Sequence, residues 1–159
     1  MNNPEALDPL PRGHAASAEK PRAIESRRRI LVIEDDPPTC DVICRSIASL
    51  GYSSHAVVNG REGLAWLADH AVPNLILLDL MMPEMDGFEF LRELRQRPGL
   101  VDVPVIVVTA KELTDEDIRL LRGQTERIIA KDEAYLSELS AALRGRLKPI
   151  DMPAWRTPA

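Results

Sequence analysis

The chain has 159 residues, with 20 Lys and Arg against 25 Asp and Glu, a formal net charge of −5 and 45% hydrophobic content. That composition excludes a chain disordered throughout and suits one domain able to bury a core. The charge is uneven, net +2 over residues 1–29 and net −7 over residues 30–159, and an acidic body argues against phosphate-backbone binding as the main activity.

In chain order, residues 1–28 carry Pro4, Pro9, Pro11 and Pro21 with no periodic apolar pattern, the composition of a disordered lead. Arg27-Arg28-Arg29 closes it as a solvated boundary. No apolar run approaches the ~20 residues of a membrane span. No apolar signal segment follows Met1, so a cytoplasmic location and no membrane partner are expected.

From residue 29 onward, short runs rich in Val, Ile and Leu alternate with helical patterns. Strands are predicted over 30–33, 54–58, 75–78, 105–108 and 127–130, and helices over 39–50, 61–70, 88–97, 115–122 and 134–147. Helix starts are signalled by Pro37-Pro38, by Asn59-Gly60, and by Thr114 with Asp117 three residues on. Leu136, Leu139, Leu143 and Leu147 form one stripe on the last helix. Near-continuous apolar strands suit a sheet buried on both faces. Five alternating units imply an α/β class, a doubly wound five-stranded parallel sheet with flanking helices. The domain is expected over residues 29–148, with residues 149–159 an irregular tail broken by Pro149, Pro153 and Pro158 and carrying Trp155.

Cys40 and Cys44 fall at helical spacing with Ile43 and Ile47, which places them on one buried face as small hydrophobes. His14, His55 and His70 show no ligand spacing around them. Trp66 lies off the stripe of Leu64, Leu67, Ala68 and Ala71, and partial burial is expected for it.

Ligands of such sheets bind outside the carboxyl ends of the strands. Glu34, Asp35 and Asp36 follow the first strand, Asp79 the third, Thr109 the fourth and Lys131 the fifth. Clustered carboxylates raise one another's pKa unless a cation sits among them, and hard oxygen ligands select Mg²⁺ over zinc. A carboxylate beside Mg²⁺ and a Lys can attack phosphorus and form an acyl phosphate. Asp79, set after Leu75-Ile76-Leu77-Leu78, is the candidate nucleophile.

The segment Asp79-Leu80-Met81-Met82-Pro83-Glu84-Met85-Asp86-Gly87, together with Ile33-Glu34-Asp35-Asp36, Val108-Thr109-Ala110 and Lys131, resembles the receiver domains of bacterial two-component response regulators. The resemblance runs from Arg29 to about Leu147. It implies a flavodoxin-like fold in which Asp79 accepts phosphate, Asp35 binds Mg²⁺ directly and Glu34 holds it through water. The Met81 backbone carbonyl would be another ligand, while Thr109 and Lys131 would hold phosphoryl oxygens. Asp36, one position beyond the acid pair, is expected to be loop-exposed. A sensor histidine kinase or a histidine phosphotransfer protein would supply the phosphoryl group, and a downstream protein would read it. A stand-alone type is expected, because only about a dozen residues follow Leu147 and DNA binding by this chain is therefore not. The chain would be no enzyme beyond its own phosphorylation and slow dephosphorylation.

Two positions depart from the family pattern. Asp132 follows Lys131 where the family usually has Pro, and Ile128 stands where it usually has Tyr or Phe. The alternative function is a pseudo-receiver, an interaction module that works without phosphorylation. An aspartate-nucleophile phosphatase would want an acid where Met81 stands, and an FMN carrier would want an anion nest where Glu34-Asp35-Asp36 stands.

Overall fold

Hydrophobic runs too short for helices become the middle of a sheet. β1 (Arg29–Ile33), β3 (Leu75–Leu78) and β4 (Val105–Thr109) are buried along nearly their whole length. The more polar β2 (Ser53–Val57) and β5 (Arg127–Ala130) take the edges. In this computed structural model, which describes residues 28–146, all five pair in parallel in the order β2-β1-β3-β4-β5. The expected lead apart from Arg28, the expected tail with Trp155, and Leu147 lie outside the described residues. Among the described residues, no helix is long and apolar enough to cross a membrane.

The helices are α1 (Pro37–Ser49), α2 (Gly60–Asp69), α3 (Gly87–Gln96), α4 (Asp115–Leu121) and α5 (Tyr135–Arg146). They divide the core into two layers. Leu31, Ile33, Ile76, Leu78, Val105 and Val107 face α2 and α3 on one side of the sheet. Ile30, Val32, Leu75, Leu77, Ile106 and Val108 face α1 and α5 on the other, against Ile43, Ile47, Leu139 and Leu143. Period-two alternation along each strand supplies both layers.

Every predicted element exists, with ends displaced by at most two residues. α1 starts earlier than its prolines suggest: Asp36 is the cap, and Pro37 and Pro38 are the first two helical residues. Proline suits that position because its fixed φ is helical and its missing N–H would have had no partner. Asn59, Asp86 and Thr114 cap α2, α3 and α4, the last two in reciprocal boxes with Glu89 and Asp117. Trp66 is more buried than expected, at 8% exposure, because His55 of β2 and His70 past the end of α2 stack against it, their ring centroids 5.1 and 4.5 Å from its own. Ile128 is half-buried against the α2/α3 layer, as its β-branched apolar side chain suggests.

Candidate functional site

Register brings the site together. Ile33 pairs with Leu78, Leu78 with Val107, and Thr109 with Ala130, so the carboxyl ends of four strands finish side by side. The ladder then continues past the strands. Glu34 N–H donates to Val57 O at 3.1 Å, Asp79 N–H to Ile33 O at 3.0 Å, and Lys131 N–H to Thr109 O at 2.9 Å. Each chemically active residue is therefore the first one beyond an apolar run, or its last, and its backbone is held by its neighbour.

Glu34, Asp79 and Thr109 are buried, and the Lys131 side chain is 13% exposed. Carboxylate oxygens of Glu34, Asp35 and Asp79 all lie within 4.8 Å of one another. Lys131 Nζ donates to Glu34 Oε2 at 2.5 Å and to Asp79 Oδ2 at 3.2 Å. Asp79 Oδ1 accepts the Met81 amide at 3.2 Å, and Glu34 Oε1 accepts the Asp36 amide at 3.2 Å. Thr109 Oγ1 accepts the Lys111 amide at 3.1 Å, which leaves its hydroxyl proton available to an incoming acceptor.

Burial pushes the Glu34 carboxyl up from its ordinary value, against the pull of Lys131. For Lys131, burial favours the neutral amine, but the carboxylates of Glu34 and Asp79 outweigh it and hold the ammonium above its usual range. One cation thus serves two buried acids, with Asp35 beside them. The chemistry of the donors, three carboxylates and no nitrogen or sulfur, fits a hard divalent cation.

Gly87 is where the phosphoacceptor turn meets α3. A Cβ there would stand 2.6 Å from Asp79 O and 2.8 Å from Leu80 Cα, so only glycine lets the helix start against that loop. Gly87 N–H donates to Leu80 O at 3.1 Å, which fixes the turn. In the same loop Glu84 adopts φ 66°, and the Met85 amide reaches back to Pro83 O at 2.8 Å. Met81 projects outward at 58% exposure. It borders an open cleft of about 420 Å³ whose other walls include Asp35, Asp86, Phe88 and Lys111.

The sequence-predicted set Glu34, Asp35, Asp79 and Lys131 converges, with Thr109 at the adjoining strand end. Asp36 turns away to cap α1, its Oδ2 accepting Thr39 N–H at 3.0 Å and Thr39 Oγ1–H at 2.5 Å. Those two bonds hold its carboxyl below the usual range. Asp132 does comparable work beyond Lys131: its Oδ1 accepts Ala134 N–H at 2.9 Å just ahead of α5. No cis peptide bond occurs among the described residues. Lys111, which its place two residues after Thr109 marks as able to influence water at the site, forms an ion pair with Asp117 and lies 5.9 Å over the Phe88 ring, two contacts that the sequence reading did not anticipate. Asp117, six residues on in the capping box of α4, was the available signal for the ion pair.

The profile of the response regulator receiver domain matches residues 30–144. The chain belongs to that family. Curated relatives include the DNA-binding dual master transcriptional regulator RpaA of Synechocystis sp., 34% identical over 73% of this chain and 49% of its own length. Response regulator MprA of Mycolicibacterium vanbaalenii is 36% identical over 76% of this chain and 50% of its own length. The chain therefore spans about half the length of these relatives. Among solved structures, the phosphorylated cyanobacterial phytochrome response regulator RcpA superposes with a TM-score of 0.71 at 25% identity, covering 81% of this chain and all of that one. The receiver domain of a sensor histidine kinase from Pseudomonas aeruginosa, with a magnesium ion coordinated in its active-site cleft, gives a TM-score of 0.67 at 29% identity over 76% and 98% of the two chains.

Proposed function

We propose that this receiver is a Mg²⁺-dependent phosphoacceptor that takes a phosphoryl group on Asp79 from a histidine kinase or phosphotransfer protein and signals by protein contact. The observation that carries the reading is Lys131, whose single ammonium is shared by buried Glu34 and Asp79 within a three-carboxylate cluster. Glu34, Asp35, Asp79 and the Met81 carbonyl would hold the ion. When bound, it offsets the negative charge of the phosphoryl oxygens.

Asp79 is the nucleophile: its carboxylate oxygen forms the O–P bond as the P–N bond of a phosphohistidine breaks, and the departing imidazole nitrogen takes up a proton. Lys131 then exchanges a carboxylate for a phosphoryl oxygen, and the Thr109 hydroxyl donates to another. The donated charge changes a surface rather than an outside substrate, so the chain is a switch and not an enzyme that turns substrate over. Its working body is residues 29–148, its place the cytoplasm where kinases are read, and its acidic surface makes proteins rather than DNA its partners. Incubation with acetyl phosphate and Mg²⁺ followed by intact mass tests this. One phosphate should be gained, and the gain should vanish without Mg²⁺ and in Asp79→Asn. A wild-type chain that gains none would be a phosphorylation-independent interaction module.

A further inference from the structure

Two thiols that are not part of the acidic cluster face each other on α1. Cys40 and Cys44 stand one turn apart, both free and half-buried, with their Sγ atoms 4.0 Å apart. They pack on the core layer that also receives Tyr135 and Leu136 of α5. A disulfide does not suit this pair, because it needs Cβ atoms within about 4.5 Å, whereas helix neighbours four apart hold theirs at about 5–6 Å.

A single bridging atom does suit it. Two metal–sulfur bonds of about 2.3 Å span the observed 4.0 Å at an angle of about 120°, and reach a linear arrangement once the sulfurs separate by roughly 0.6 Å more. Side-chain torsion covers that distance without moving the helix. Zinc would want four ligands, and the only converging group of three or more ligand residues among the described residues is Glu34, Asp35 and Asp79. Soft monovalent ions are satisfied by two sulfurs.

We propose that Cys40 and Cys44 form a two-sulfur site for a soft monovalent metal ion of the copper(I) and silver(I) class. Binding replaces two S–H bonds with two metal–sulfur bonds. It releases two protons, transfers no electron, and leaves the bridged unit with one negative charge. Burial, and then the neighbouring Cys44, push the Cys40 thiol up to about 12, so that sulfur keeps its proton until a metal displaces it. The hard-oxygen site and this soft-sulfur site lie on separate elements and select different ions.

Silver(I) is the probe, titrated into the full chain in chloride-free buffer with excess free methionine to strip single thioether sites, and followed by native mass spectrometry and proton release. The expected result is one silver per chain, two protons released per ion, and no displacement by excess Mg²⁺. Cys40→Ser and Cys44→Ser should each weaken binding about 10²–10⁴-fold, the advantage a two-point grip has over a one-point one. Two silver ions per wild-type chain, one proton per ion, or an unweakened single-serine variant would overturn the proposal. The first two readouts need no variant, so a serine that disturbs the half-buried helix face does not spoil the test.

Discussion

The two ends of the sheet handle charge in opposite ways. At the carboxyl end, buried Glu34 and Asp79 share Lys131, and acid outnumbers base. At the amino end, the guanidinium of Arg95 donates to four backbone carbonyls, Val101 O at 2.7 Å, Val103 O at 2.8 Å, Gln124 O at 2.5 Å and Leu100 O at 3.4 Å. Burial lowers the Arg95 pKa, yet both terminal nitrogens are engaged and tie the loop after α3 to the loop after α4. One end is electrostatically closed. The other keeps unsatisfied negative charge, which is what a cation and a phosphoryl group can use, and it gives up stability of the metal-free fold to do so.

The largest effect should come from breaking the balance at the carboxyl end. Lys131→Met leaves Glu34 and Asp79 buried without a counter-charge and should cost about 4 kcal/mol in urea unfolding without metal. Mg²⁺ should then stabilise the variant more than the wild type, since the ion replaces the lost cation. In the wild type, Mg²⁺ at a hundredfold excess over its Kd should add about 2.7 kcal/mol, and Asp35→Ala should abolish that gain. An unchanged gain in Asp35→Ala would remove Asp35 from the ligand set.

The amino end sharpens the contrast. Arg95→Ala should cost about 2 kcal/mol by stranding carbonyls in two loops, while leaving the Mg²⁺ response intact. A lost Mg²⁺ response there would show that the two ends are coupled. A smaller effect is expected at Glu84, whose φ of 66° is strained for a residue with a Cβ. Glu84→Gly should raise stability by about 0.5 kcal/mol, the strain relieved less the glycine's extra unfolded-state freedom. Its ion pair with Arg61, 4.0 Å and well exposed, adds little.

The smallest effect concerns pH. Lys111 and the Thr114 amide hold the Asp117 carboxyl below its ordinary value. A lowered acid contributes stability above its unfolded pKa and loses it as pH falls through the folded one. Protection factors in the first turn of α4, corrected for the intrinsic exchange rate at each pH, should therefore fall on acidification below the ordinary carboxylate range, and Lys111→Met should flatten that dependence.

How much of this was legible in the sequence follows from what each feature depends on. Apolar runs made the three central strands legible because burial on both faces leaves little room for polar positions, whereas the edge strands β2 and β5 carry polar residues; the site residues were legible where those runs and the fifth strand end. Asp36 and Asp132 were harder. A carboxylate in an acidic loop reads as a metal contact or an exposed acid, and only the backbone path shows it turning to accept amide protons at a helix start. Arg95 left no trace at all, since its partners are main-chain carbonyls without side-chain identity. Trp66 misled because helical periodicity counts only its own helix, and its cover comes from His55 on β2. Ile128 was legible as a packing residue, and it packs against the α2/α3 layer.

Four acids stand at the mouth of the site, and the account assigns the chemistry to one of them. Phosphorylation with acetyl phosphate in Mg²⁺, borohydride reduction of the acyl phosphate and peptide mapping would locate it. The account predicts homoserine at position 79 alone, in a yield that collapses when Mg²⁺ is withheld. Reduction at Glu34, Asp35 or Asp36 instead, or an equal yield without Mg²⁺, would contradict it.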